Sequence, residues 1–406
     1  MHGSWKQVFG SSNRKPLALF TSAVLAGALM ADGSAGAAAR PTIVELGTLP
    51  GYGSSQASLI NDAGVVAGVV VGADQQPRAV RWNRAGRISA LGLLPGATAS
   101  SVVGINDAGV VVGSMTVDGR QRAVRWDRAG RVTALALPPG GVATSPVGIN
   151  EGGLVLGEAT LAGNEVRAVS WDAAGRVLDL DDLPGSAYST ARAVNDAGMA
   201  IGTMPQADGT FRAVRWSRSG RVTALNPTPG FPYSMAYALN NAGVVVGYAS
   251  GPVGDIQAVR WDLAGRLTVL SDPPGMRSNG IVGMNDAGTV IAHGSAVDGG
   301  AGHALRWDPS SGATDLGALF DRGWSAPVGI NRSGVIIGIA GVPSGATHAV
   351  RWDAKGRIAD LGTLPADPAS SSYARAINNT GAAAGFVLGS DGIRSRAVLW
   401  PDVSRP

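Results

Sequence analysis

Residues 100–140 read SSVVGINDAGVVVGSMTVDGRQRAVRWDRAGRVTALALPPG, and this stretch decides the fold. Four runs rich in Val, Ile, Leu or Trp lie at 101–105, 110–114, 122–126 and 132–137. Each is too short for a typical helix and has the composition of a strand. Turn chemistry separates them. Asn106-Asp107-Ala108-Gly109 suits a tight hairpin, with the Asn side chain capping the turn and Gly taking a positive φ angle. Asp118-Gly119 and Asp127-Arg128-Ala129-Gly130 are two further turns, and Pro138-Pro139-Gly140 breaks the chain before the next unit. Four antiparallel strands in about 45 residues is the content of one propeller blade.

The unit recurs eight times. Its turn Asn stands at Asn61, Asn106, Asn150, Asn195, Asn240, Asn285, Asn331 and Asn378, at intervals of 44–47 residues. A Trp follows each one, at Trp82, Trp126, Trp171, Trp216, Trp261, Trp307, Trp352 and Trp400. The two ends are complementary. Thr42-Ile43-Val44-Glu45-Leu46-Gly47-Thr48-Leu49-Pro50 matches the fourth strand of a repeat, as in Ile358-Ala359-Asp360-Leu361-Gly362-Thr363-Leu364-Pro365. The last repeat stops after its third strand, at Trp400. The sequence therefore predicts an all-β, eight-bladed β-propeller with four-stranded blades, closed by an N-terminal strand that completes the last blade.

The motifs Asn-Asp-Ala-Gly-Val-Val-Val-Gly, His303-Ala304-Leu305-Arg306-Trp307 and Asp360-Leu361-Gly362-Thr363-Leu364 resemble the HAF repeat family of bacterial extracellular proteins. The resemblance covers about residues 41–400. It implies secretion and a repeated β fold, and no common activity. The eponymous His is present only at His303 and His348; Arg78, Arg122, Arg167, Arg212, Gln257 and Arg396 replace it elsewhere.

Residues 1–39 have a different character. Lys6, Arg14 and Lys15 precede an uncharged apolar run at 16–30, followed by small residues. That is the order of a secretory signal peptide, and the run is short for a membrane span. The expected organisation is a signal at 1–39 and one propeller domain at 40–406. The expected location is extracellular, with a cell-surface or periplasmic protein as the alternative and no membrane association after processing. Losing residues 1–39 removes Lys6, Arg14, Lys15 and Asp32, lowering the formal charge from +4 to +2. So small an excess is no nucleic-acid footprint. The chain has no Cys, so core burial alone must stabilise an exported monomer.

Features present in every unit are read first as scaffold. The Asn residues serve the hairpins and the Trp residues pack between sheets, an aromatic sugar ladder being the functional alternative. The Gly seven residues after each Asn is replaced only by Ala292, and it is expected to permit close sheet packing. The Arg residues that precede six of the Trp residues and follow six of the turn Gly residues are expected to pair with the Asp after Trp, as at Asp127, Asp172, Asp262, Asp308 and Asp353, a basic ring for an acidic polymer being the sharper reading. Calcium-loop spacings, metalloprotease and serine-hydrolase motifs and a P-loop are absent, so the sequence predicts neither metal nor cofactor.

Breaks in the pattern locate the candidate site. Three residues before Asn the series is Ser58, Val103, Val147, Arg192, Tyr237, Val282, Val328 and Arg375. If the first strand is innermost, Arg192 and Arg375 face each other across an eight-fold channel, suited to a carboxylate at its mouth. Solvated arginines are the plainer alternative. Eight residues after Asn, Glu158 and His293 are the only ionisable members besides Tyr248 and could form an acid/base pair. Trp324 and the segment 231–233 supply aromatic residues to one rim, suited to sugars or peptides. The expected function is a secreted binding or interaction module for a carboxylate or carbohydrate. The alternatives are an enzyme, either a polysaccharide lyase or hydrolase or a converter of small molecules, and a cell-surface structural protein.

Overall fold

A computed structural model describes residues 42–226, 230–251, 256–310 and 312–403. The segment 1–39, expected to be a signal peptide, lies outside the described residues. Among those residues the chain forms strands β1 to β32 in chain order, arranged as eight four-stranded antiparallel sheets. The first complete blade is β2 (Tyr52–Ile60), β3 (Val66–Gly72), β4 (Pro77–Trp82) and β5 (Ile88–Ala90). The innermost strands of the later blades are β6 (Ala97–Ile105), β10 (Gly141–Ile149), β14 (Thr190–Val194), β18 (Tyr233–Leu239), β22 (Met276–Met284), β26 (Ser325–Ile330) and β30 (Ser371–Ile377). Each inner strand meets its neighbours around the axis, and β30 meets β2. The protein is an eight-bladed β-propeller.

Closure follows the complementary ends. The eighth blade is β30, β31 (Ala383–Leu388), β32 (Ser395–Trp400) and the N-terminal β1 (Val44–Glu45), with Val44 opposite Leu399 and Glu45 opposite Val398. The Leu46 amide donates to the Ala397 carbonyl at 2.8 Å, and the Leu46 side chain packs in a buried cluster with Trp82. The other seven blades repeat this bond, as in Leu91 to Ala79 and Leu361 to Ala349.

The fourth strands are shorter than the apolar pattern predicts. The expected strand 132–137 is β9 (Val132–Ala134), because Leu135 turns inward and is buried. The apolar run thus mixes pairing residues with a core residue.

The Asn residues do more than cap turns. Each Asn Oδ1 accepts the amide four residues on, as Asn61 does from Val65 at 2.8 Å and Asn378 from Ala382 at 2.8 Å. Each Nδ2 donates to the main-chain carbonyl of the Asn one blade further on, beginning with Asn61 to Asn106 at 2.9 Å. Asn378 returns to Asn61 at 2.9 Å, so the eight amides form a closed belt. Asn fits because its short primary amide carries a separate oxygen that accepts within the hairpin and an NH2 that donates to the next.

The Trp residues are buried between sheets, seven of them at 0% exposure. Seven indole N–H groups donate to a carbonyl of the preceding blade, such as Trp216 to Asp181 at 2.7 Å. Outer arginines divide into two kinds. Four of those after the turn Gly pair with the Asp after Trp, as Arg131–Asp127 and Arg266–Asp262 do at 2.7 and 2.8 Å. Those before Trp do not all join these pairs. Arg306 pairs with Asp308 at 2.8 Å and also donates to the Ala354 carbonyl of the next blade at 2.8 Å, whereas Arg215 donates to the Leu263 carbonyl of the next blade at 3.0 Å.

Candidate functional site

The inner strands share a backbone irregularity. Every inner strand has a β-bulge three residues before its Asn, between Ala57/Leu59, Val102/Gly104, Pro146/Gly148, Ala191/Ala193, Ala236/Ala238, Ile281/Gly283, Pro327/Gly329 and Ala374/Ala376. The residue each bulge leaves unpaired belongs to the series Ser58, Val103, Val147, Arg192, Tyr237, Val282, Val328, Arg375. A bulge redirects its side chain. Arg192 and Arg375 are therefore among the residues freed from the ladder.

Arg192 and Arg375 occupy the fourth and eighth blades, on opposite sides of the axis. Both are exposed. The Arg192 guanidinium carbon lies 4.9 Å from the ring centre of Tyr237, on the adjacent inner strand. Tyr237 in turn meets Tyr248 edge to face, with centroids 5.5 Å apart and planes at 84°. Arg375 stands 5.2 Å over Phe386, which stacks on Tyr373 at 5.0 Å and 21°. Aromatic faces orient a guanidinium without consuming its N–H donors. Partial desolvation moves the Arg375 guanidinium below its ordinary value. The two arginines lie on inner strands, each three residues before an Asn of the belt.

The hairpin mouth carries a different ring, which sequence reading treated as turn chemistry. The residues after the Asn belt are Asp62, Asp107, Glu151, Asp196, Asn241, Asp286, Arg332 and Asn379. They surround a cavity of about 310 Å³, whose lining also includes Ile149, Val194, Leu239, Met284 and Ile330. All of these side chains except Arg332 accept main-chain amides from blade to blade, as Asp107 does from Asp62 at 2.8 Å and Asp62 from Asn379 at 2.7 Å. Burial raises the Glu151 carboxyl above its ordinary value, and the Asp107, Asp196 and Asp62 carboxylates add to that effect. The visible signal for this ring was acidic character at one fixed repeat position. Among the described residues, no group of three or more His, Asp or Glu side chains forms a metal-holding cluster.

Glu158 and His293 are not brought together; they lie three blades apart, in β11 (Val155–Leu161) and β23 (Val290–Ala296). Glu158 Oε1 instead accepts the amide of Ala191 at 3.1 Å, beside the Arg192 bulge. Burial raises its carboxyl above the ordinary value. The His293 imidazole is lowered by partial desolvation, though solvent still reaches the residue. Trp324 is exposed immediately before β26, while its carbonyl accepts the Gly341 amide at 3.1 Å. Phe231 packs on a core cluster and is half-buried, so the segment 231–233 is in part core.

The Glu158 shift has a stability consequence. Folded Glu158 holds its proton more tightly than the unfolded chain does. Its contribution is full below the ordinary value of 4.5 and is lost as pH rises through the raised folded value. Glu158→Gln should therefore gain stability relative to the parent between pH 4 and 7, as read by urea unfolding at both pH values. A gap that stays constant would refute this assignment.

No protein-family model and no curated protein match the chain. Solved structures do match. Puromycin hydrolase is 18% identical over 82% of this chain and 58% of its own, with a TM-score of 0.52. A post-proline cleaving enzyme from Rickettsia typhi is 10% identical over 82% and 57%, with a TM-score of 0.56. Virginiamycin B lyase from Staphylococcus aureus is 19% identical over 73% and 94%, with a TM-score of 0.45. The chain spans less than two thirds of the two hydrolases. At these identities the likeness is one of fold.

Proposed function

We propose that this protein is an exported, monomeric binding module whose channel receives an anionic ligand, a carboxylate or an acidic carbohydrate, at the layer of Arg192 and Arg375. The supporting observation is a pair of cations without counter-ions. Among the described residues neither guanidinium has a hydrogen bond or ion pair, and both rest on aromatic rings. The other members of that layer contribute no carboxylate. Two positive charges held apart on a partly desolvated wall are complementary to negative charge. Export is supported by the order of charges and apolar residues at 1–39 and by the resemblance to the HAF repeat family.

The test is calorimetric titration of the mature protein and the double variant Arg192→Ala/Arg375→Ala with acidic saccharides and organic carboxylates. Charge-assisted hydrogen bonds contribute about 1.5–3 kcal/mol each, so affinity should fall about 100-fold or more. Equal affinity in parent and variant would sink the proposal.

A second reading, an enzyme, is favoured by Glu158. A carboxyl with a raised pKa at the Ala191 amide beside an anion-attracting Arg192 has the setting of a general acid for a lyase or hydrolase. Turnover of acidic polysaccharides that disappears in Glu158→Gln would support it.

A further inference from the structure

We infer that Arg192 and Arg375 act on one molecule: an elongated dianion with an apolar body, lying across the channel with one carboxylate at each arginine. The inference rests on the channel's being an anion site and goes beyond it in naming the ligand's shape and charge.

Three observations lead there. Both arginines occupy the same bulge position, and therefore the same layer of the wall. Four blades out of eight separate them, which sets them across the axis from each other. Each is braced by an aromatic pair, Tyr237 with Tyr248 and Phe386 with Tyr373. A single small anion at one arginine leaves the opposite cation uncompensated. A dianion satisfies both and leaves no net charge in the layer.

The rest of the layer defines the body between the charges. Val103, Val147, Val282 and Val328 occupy the intervening bulges together with Ser58 and Tyr237. Four of these six side chains offer no hydrogen bond. A polyhydroxylated body would lose its water there without replacement, at a cost for each unpaired group. A polymethylene or aromatic dicarboxylate would not. The proposed class is therefore a dicarboxylate with a hydrocarbon centre.

Linear α,ω-dicarboxylates of increasing length, with monocarboxylates of matched length as controls, provide the test. The expected results are one ligand per chain, an affinity maximum at one length, and affinity at least about tenfold above the matched monocarboxylate. Either single variant, Arg192→Ala or Arg375→Ala, should reduce the best dicarboxylate to the monocarboxylate level. The thermal transition and far-UV spectrum of each variant establish that it is folded. Arg192→Lys, which keeps the charge, should retain most of the length preference. Two ligands per chain, or affinity indifferent to length, would overturn bridging while leaving anion binding intact. Failure of every mono- and dicarboxylate to bind the parent would overturn both.

Discussion

Gly202→Ala is expected to lower the unfolding free energy by about 3 kcal/mol, the upper end of the usual cost of overpacking a core. Gly202 pairs with Ala191 at the bulge of the fourth blade. A methyl group built there would enter the Thr190 carbonyl oxygen and come within 2.8 Å of two Trp216 ring atoms. The obstacle is a backbone oxygen on one side and a fully buried ring on the other, so neither yields readily. Gly68, Gly113, Gly157, Gly247, Gly338 and Gly385 have the same collision with an inner-strand carbonyl. The natural control is Ala292, which pairs with Ile281 in a strand carrying an additional irregularity between Ser278 and Gly280. There Trp307 is 4% exposed, where the other seven repeat Trp residues are at 0%. Ala292→Gly should accordingly change stability by much less than Gly202→Ala. Denaturant unfolding of the two variants is the measurement; similar costs would contradict this account.

Leu46→Ala is expected to cost about 2–5 kcal/mol, the range for truncating a buried Leu. Its larger effect should be on cooperativity. Leu46 lies just beyond the two-residue strand β1, which holds the N-terminal end of the ring to β32. The Leu46–Ala397 bond and the packing on Trp82 are made in every blade, but only here do they join opposite ends of the chain. Leu91→Ala removes the equivalent buried side chain inside a continuous stretch and serves as the control. Hydrogen exchange should show β30, β32 and β2 losing protection together in Leu46→Ala, with Leu91→Ala affecting its own blade and neighbour. Identical exchange patterns would mean that closure does not govern cooperativity.

Much of the scaffold was legible because it repeats. A residue required in every blade, such as Asn106 or Trp126, appears in every unit, and the short Val-rich runs between turns exclude helices. The matching ends at Thr42 and Trp400 carried closure, since a missing strand at one end and a surplus strand at the other have one economical solution. The candidate site was legible only in part. Arg192 and Arg375 stood out as charges in a Val-rich series. Glu158 and His293 stood out equally, yet one serves a neighbouring bulge amide and the other lies three blades away. Spacing along the chain fixes the blade, but it does not say which neighbouring strand a side chain meets.

By itself, then, the sequence determined the number of blades, the place of closure and the residues common to all of them. These depend on local propensity and on periodicity, which act over a few residues or one repeat. Only the tertiary structure decided what the repeated positions do together. The Asn side chains join hairpins 44–47 residues apart into one belt, the acidic residues beside them surround a mouth, and the bulges free one residue of each inner strand from the ladder. Those outcomes require eight separate segments to meet around one axis. Their physical cause is ring geometry, which no single repeat contains.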